Sequence, residues 1–192
     1  MSIVYGIEPL ENCWNEVMAL AVQHWHETEG YRHGQPFCPS FERYNQYEKC
    51  GWLVQFTARD NGNLIGYATM YICPSMHTQQ VVAVEDTWFL LPDYRKGRNA
   101  LEFYKYVENV CRERGVVEIG MTAKFTNSAG RILEYLGYQK VSVQYSKPLS
   151  KPLDKTQENQ YGSTSLVRAD SAPDKPAVKE TAYVRSITTS PA

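Results

Sequence analysis

Val81-Val82-Ala83-Val84-Glu85-Asp86-Thr87-Trp88-Phe89-Leu90-Leu91-Pro92-Asp93-Tyr94-Arg95-Lys96-Gly97-Arg98-Asn99-Ala100 decides how this chain reads. The run of Val and aromatic residues predicts a buried strand from about Gln79, ended by Pro92. Ala100, Phe103, Tyr104, Val107, Val110 and Cys111 then recur at helical spacing, and Gly115 closes the run. Between strand and helix lie Arg95, Lys96, Gly97, Arg98 and Asn99. The first N–H groups of a helix have no partner within it, and the helix dipole favours negative charge there. A glycine permits close backbone approach, and three cations surround this one. The turn reads as a phosphate or pyrophosphate cradle.

Two acids, Glu85 and Asp86, interrupt the apolar strand. An ionised carboxylate is costly to bury without a partner. Neighbours on a regular strand point to opposite faces, so one of the pair is expected to face a given cleft. An acid beside a phosphate cradle suggests proton transfer on a substrate carried by a phosphate-bearing cofactor.

Working outward, Ser2 to Ile7 predicts a strand and Pro9 to Glu27 a helix, with Trp14, Val17, Met18, Ala21, Val22 and Trp25 as its core-facing stripe. His24 and His26 sit two apart, so they do not face a common metal and read as residues favoured near a helix C-terminus. Gly30 to Ser40 is a loop and Phe41 to Lys49 a second helix. Gly51 to Asp60 and Leu64 to Cys73 are strands joined by Asn61-Gly62, a strong tight-hairpin signal. On the second strand Leu64, Gly66, Ala68 and Met70 alternate with Ile65, Tyr67, Thr69 and Tyr71.

Beyond the long helix, Val116 to Ala123 predicts a strand parallel to the organising one. Thr126-Asn127-Ser128 caps a helix over Ala129–Leu136 that Gly137 ends, and Tyr138 to Lys147 alternates as a last, partly exposed strand.

Composition sets the outer bounds. The chain of 192 residues suffices for one domain with a proper core. Its formal net charge of −1 gives no basic field pointing to nucleic acid. No apolar run is long enough to span a bilayer, and a signal-peptide pattern is absent, so a cytoplasmic location is expected. Five irregularly spaced cysteines without Cys-x-x-Cys indicate neither a zinc site nor a disulfide framework, and Cys13 and Cys111 read as buried thiols. From Pro148 half of the ten prolines collect among Ser, Thr and mixed charges. Residues 148–192 are therefore expected to be a disordered tail behind a domain of residues 1–147, with Tyr183-Val184-Arg185-Ser186-Ile187 as a weak partner-binding patch.

At two motifs the chain resembles the GNAT N-acetyltransferase superfamily, in which an Arg/Gln-x-x-Gly-x-Gly/Ala turn between a central strand and a helix holds the pyrophosphate of coenzyme A. The first is the Glu85-Asp86 strand with its Arg95–Ala100 turn. The turn fits in two registers: Arg95 and Ala100 at its ends put Arg98 where the family has its middle Gly, and Gly97 in the glycine place leaves Tyr94 and Asn99 as the odd ends. The second is Asn127-Ser128-Ala129 followed by Leu136-Gly137-Tyr138, similar to the family's Asn-x-x-Ala and Leu-Gly-Phe.

The resemblance spans Ile3 to Lys147. It implies an α/β fold with a mixed, mostly antiparallel sheet, a parallel crossover at the cofactor site and helices on both faces. It further implies direct transfer of acetyl from acetyl-CoA to a primary amine on a small molecule or peptide. Glu85 would be the general base and Asp86 the second choice. A strand N–H would stabilise the oxyanion. Pantetheine would run along Phe89, Leu90 and Leu91. Arg95, Lys96, Gly97, Arg98, Asn99 and Ala100 would hold the pyrophosphate, and Asn127 can touch the cofactor. The family's general-acid tyrosine aligns with Leu133 counted from Gly137, or with Glu134 or Tyr135 counted from Asn127. Tyr135 is the nearest phenol and Tyr138, read as core packing, the next. The segment between the first two helices would overhang the acceptor, with Glu27, Glu29, Tyr31, Phe37, Phe41, Tyr44 and Tyr47 able to receive a cation.

A binding or assembly protein that keeps this fold without turnover is the alternative, its tail engaging a partner. A homodimer also stays open. A nucleotide-binding enzyme is disfavoured, because neither Gly-x-x-x-x-Gly-Lys-Ser/Thr nor Gly-x-Gly-x-x-Gly is present.

Overall fold

A computed structural model describes residues 3–30, 36–147 and 149. The sequence readings at Tyr31, at the 148–192 tail apart from Leu149, and at its Tyr183–Ile187 patch fall outside the described residues. In chain order the elements are β1 (Ile3–Ile7), α1 (Leu10–Thr28), α2 (Phe41–Lys49), β2 (Leu53–Asp60), β3 (Asn63–Pro74), β4 (Val81–Leu90), a 3-10 turn (Pro92–Tyr94), α3 (Asn99–Glu113), β5 (Glu118–Gly120) and α4 (Ala129–Tyr135).

The five strands form one sheet in sequence order. β1 to β4 pair antiparallel, and β4 pairs β5 in parallel through the α3 crossover. The β2–β3 hairpin closes through Asn61 and Gly62, at φ 50° and 84°. Positive φ at both central residues is what the Asn-Gly pair supplies.

Each face of the sheet carries a helix. Phe103, Val107 and Cys111 of α3 pack on Val54, Phe56, Ala58, Ala68, Met70 and Ala83. Cys13, Val17 and Ala21 of α1 pack on Tyr67 and Phe89 across the other face. The stripe on α1 is therefore Leu10, Cys13, Val17 and Ala21, rotated from the sequence expectation, and Val22 is 45% exposed. A cysteine read as part of the apolar periodicity would have placed it. Burial pushes the Cys13 thiol up to about 12 and the Cys111 thiol to about 11, which leaves both unreactive.

Two β-bulges break the regular alternation. Between Ala58 and Arg59 the register on β3 skips from Gly66 to Leu64, so Ile65 is the extra residue. It joins the α3 face with Ala68 and Met70, against the alternation expected from sequence. Gly66 is required there, because an added Cβ would sit 2.7 Å from Leu90 Cδ1 and 2.8 Å from the Phe89 carbonyl oxygen. Gly66→Ala is expected to cost about 1–3 kcal/mol, the usual penalty of overpacking, read as a lower denaturation midpoint at unchanged m-value.

The second bulge lies on β4. Thr69 pairs with Thr87 and Met70 with Glu85, so Asp86 is the extra residue. A bulge bends its strand and re-aims its side chains.

Two strands differ from the sequence reading. β5 covers three residues rather than Val116 to Ala123. After Gly120 the chain leaves β4, and the Thr122 N–H donates to Glu85 Oε2 at 2.8 Å instead of joining a ladder. Tyr138 to Lys147 forms no strand, and Val141, Val143 and Tyr145 are 86%, 60% and 92% exposed. A three-residue β5 offers too short a ladder to fix that segment, and an unpaired strand is not stable in water.

Candidate active site

The departure of β5 opens the site. β4 pairs with β5 only over Val82, Ala83 and Val84. From Glu85 to Leu90 its outer edge has no strand partner among the described residues. Unpaired backbone groups call for another partner, which is water or a ligand. A cavity of about 450 Å³ lies beside this gap. Glu85, Asp86, Thr87 and Trp88 of β4 line it, with Tyr104 of α3, Thr122, Lys124 and Asn127 beyond β5, and α1 with Phe37 and Tyr44 on the opposite side.

The bulge puts both acids in this one cavity, correcting the expectation that only one would face a cleft. Burial raises the Glu85 pKa to about 6, with the Thr122 N–H pulling it down and Asp86 adding to the rise. A carboxylate with a pKa near 6 is mostly ionised at pH 7 and a stronger base than an ordinary carboxylate, which suits a general base. Asp86 remains open to the cavity and accepts a 2.9 Å hydrogen bond from the Tyr44 hydroxyl. Desolvation raises its pKa and the Tyr44 bond opposes that rise. Thr87 Oγ1 is buried and has no hydrogen-bond partner among the described residues.

Sequence reasoning missed His24 and Tyr104. His24 Nδ1 meets the Tyr67 hydroxyl at 3.0 Å, and its ring stacks on Phe89 at 5.1 Å. Burial lowers its pKa to about 4, so it is neutral at pH 7 and brings no cation into the cavity. Its position on the buried side of α1 was legible from Val17 and Ala21, which lie at helical spacing from it. Tyr104 stacks flat on Trp88, 3.8 Å between ring centroids, and burial raises its pKa. Helical periodicity identified it as core without showing that this core borders Glu85.

The acids at the end of α1 are engaged with cations. Glu27 pairs with Arg95 at 2.8 Å, and Glu29 pairs with Lys124. Arg95 also donates from Nε to the Leu90 carbonyl at 2.7 Å and lies 5.1 Å over the Phe89 ring. It braces β4 against α1 instead of standing free in the turn. The Leu91 N–H is likewise committed, to the Ile65 carbonyl at 2.8 Å. Lys96, Gly97 and Arg98 are exposed at the opening of α3, with Arg98 loosely paired to Glu102 at 3.7 Å. Gly97 has φ 70°, and a Cβ there would meet nothing within 4 Å.

Two hydrogen bonds pin the turn to the sheet, Tyr5 hydroxyl to the Asn99 carbonyl at 3.1 Å and Tyr94 hydroxyl to Asp60 at 2.9 Å, and a third closes the turn on itself, Asn99 Nδ2 to the Tyr94 carbonyl at 3.1 Å. Ala100, half-buried, begins the packed face of α3.

The N-cap of α4 is Ser128, without a side-chain cap bond; Asn127, one residue earlier, accepts from the Ala129 N–H at 3.0 Å through Oδ1 and lines the cavity. Gly137 ends α4 at φ 93°, with the Tyr138 N–H returning to the Leu133 carbonyl. Tyr135 is 76% exposed and does not line the cavity, because Leu133 takes the inward place on α4. Among the described residues no cluster suited to a metal ion occurs, and no helix is long and apolar enough to cross a membrane.

The family model described as "Acetyltransferase (GNAT) family" matches residues 14–138. No curated protein matches the sequence significantly. Among solved structures, ribosomal-protein-alanine N-acetyltransferase from Brucella melitensis biovar Abortus 2308 is similar at 18% identity and TM-score 0.62, covering 79% of this chain and 100% of that one. A predicted acetyltransferase from Clostridium acetobutylicum, solved with acetyl-CoA, is similar at 16% identity and TM-score 0.59, covering 77% and 97%. An aminoglycoside acetyltransferase from an uncultured soil metagenomic sample, in complex with sisomicin, is similar at 10% identity and TM-score 0.62, covering 77% and 97%. These identities speak for the fold. The matched family model spans well over half of the chain, from within α1 to just beyond α4: this chain belongs to the GNAT family of acetyltransferases.

Proposed function

We propose that residues 1–147 carry an N-acetyltransferase that moves acetyl from acetyl-CoA to a primary amine, with Glu85 as general base. The carrying observation is Glu85 itself, a carboxylate raised to about 6 at the point where β4 loses its partner strand. The chain's residues fit the donor in two places. The unpaired edge of β4 and the orphaned Thr87 hydroxyl offer polar groups to an amide-bearing arm. The opening of α3 offers N–H groups, open space before Gly97 and the exposed cations Lys96 and Arg98 to a diphosphate.

Acetyl-CoA supplies an activated acyl carbon: the amine nitrogen bonds to it, its carbon–sulfur bond breaks, and coenzyme A leaves as a thiol carrying the second amine proton. Glu85 takes the first proton from the arriving ammonium and returns it to water. The Thr122 N–H holds the Glu85 carboxylate in place. Tyr104, with Tyr44 and Tyr67, is a phenol lining the cavity of the base, whereas Tyr135 lies outside it. The Glu29–Lys124 pair bridges α1 and the segment after β5 at the cavity wall.

The cradle is tested by calorimetry with coenzyme A. An exposed cation paired with an anion is worth about 0.2–1 kcal/mol. Arg98→Ala is expected to weaken binding by about two- to fivefold. Arg95→Ala should weaken it similarly, but through loss of its brace to Leu90 and Glu27. Unchanged affinity in both would remove the diphosphate assignment.

A further inference from the structure

Among the described residues lining the cavity, Asp86 is the carboxylate without a cation partner and, on the acetyl-transfer reading with Glu85 as base, without a proton to move. Its hydrogen-bond partner among the described residues is Tyr44, which donates to it at 2.9 Å. The other charges nearby are matched or silent: Glu29 is paired with Lys124, Glu27 with Arg95, and His24 is neutral at pH 7. One positive charge on a ligand therefore has one open seat.

The rest of the wall facing α1 is aromatic. Trp14 packs against Tyr44 at 5.7 Å, Trp25 against Phe37 at 5.5 Å, and the Tyr67 hydroxyl is turned toward His24. Such rings pack an aromatic or apolar body against them. The cavity, about 450 Å³, stands near the lower end of the range for small-molecule sites and must also admit the acyl end of the donor.

Resting on the acetyl-transfer reading, we propose that Asp86 with Trp14, Trp25, Tyr44 and Tyr67 selects a compact monoamine with an aromatic or apolar body, seating its ammonium beside Glu85. Asp86 keeps its charge and holds the substrate. Glu85 takes the proton, and the nitrogen then forms its bond to the acyl carbon as above. A polycation would set its further charges against rings with no carboxylate to meet them. Tyr44 is a positioning residue, acting through Asp86.

The test is acetyl-CoA turnover by the full chain with 2-phenylethylamine, spermidine, sisomicin and a lysine peptide. 2-Phenylethylamine is expected to show a kcat/KM at least tenfold above the other three. Asp86→Asn should raise its KM at least tenfold with a smaller change in kcat, and should weaken its binding to the donor-free protein, read by tryptophan fluorescence, by a similar factor. Asp86→Glu should recover part of that loss, and Tyr44→Phe should give a smaller KM rise, which keeps the test decisive if Asp86→Asn does not fold. Preference for spermidine, sisomicin or the peptide, or an unchanged KM and binding constant in Asp86→Asn, overturns the selection by Asp86 while leaving acetyl transfer standing. Release of coenzyme A that no amine accelerates overturns both.

Discussion

Glu85→Gln is expected to lower kcat/KM for the amine by about 10²–10⁴, the usual worth of a positioned general base. Affinity for coenzyme A should stay within about twofold, because Glu85 stands at the bulge and the cradle stands at the opening of α3. The pH profile gives the assignment its sharper form. A base with a pKa near 6 is ionised above that value, so the parent's kcat/KM should fall about tenfold per unit as pH drops below 6. The glutamine variant should lose that limb and keep the titration of the amine itself.

Stability provides a control with the opposite sign. Burial raises the folded pKa of Glu85 above its unfolded value, so the folded state binds more protons between about 4.5 and 6. The group therefore destabilises the fold once ionised, fully above pH 6, and this cost disappears as pH falls toward 4.5. Glutamine carries no charge and can still accept from the Thr122 N–H. The variant should be more stable than the parent at pH 7, with the difference closing below about pH 5, measured by urea unfolding. A variant that is inactive yet more stable has lost chemistry and not structure. A Glu85→Gln protein turning over at the parent rate would falsify the base assignment.

The sequence made most of the scaffold legible because the scaffold follows simple periods. The α2 boundaries, the Asn61-Gly62 hairpin and the β4–turn–α3 unit came from apolar spacing, glycine and proline. The site was less legible because it is made where those periods fail. The Asp86 bulge turns two neighbouring acids into one cavity, and a bulge has no residue signature that alternation can detect. The early end of β5 creates the gap, yet Val116 to Ala123 carries enough strand-forming residues to read as a full strand.

Arg95 shows a third limit. Its charge and place in the turn suggested the phosphate, while its long side chain reaches back to Leu90 and Glu27. Sequence gives the charge of a flexible side chain but not its direction. The same holds for Glu27 and Glu29, which the folded chain pairs with cations.

Phe103→Ala is expected to have the largest effect on stability, about 3–5 kcal/mol, because it leaves a cavity at the centre of the core. Phe103 is fully buried, stacks on Tyr5 at 5.3 Å and lies 4.5 Å from Trp88. Those partners couple it to the site. Tyr5 holds the first residue of α3 through the Asn99 carbonyl, and Trp88 carries Tyr104 in the cavity wall. The ring thus seats the helix whose opening forms the cradle. A loss of this size is a large share of the 5–15 kcal/mol typical of a folded domain.

Coenzyme A separates the two consequences. A ligand that binds only the folded state adds about 2.7 kcal/mol at 100 times its dissociation constant. If the empty core disturbs only packing, saturating coenzyme A should raise the unfolding free energy of Phe103→Ala and of the parent by equal amounts. If α3 is unseated as the Tyr5 and Trp88 contacts imply, the variant's increment at a fixed coenzyme A concentration should be smaller, with a matching rise in the calorimetric dissociation constant. Phe103→Leu, which refills most of the space without a ring for Tyr5 to stack on, should recover more stability than affinity. Equal increments in all three proteins would show that the turn holds its shape without the ring beneath it.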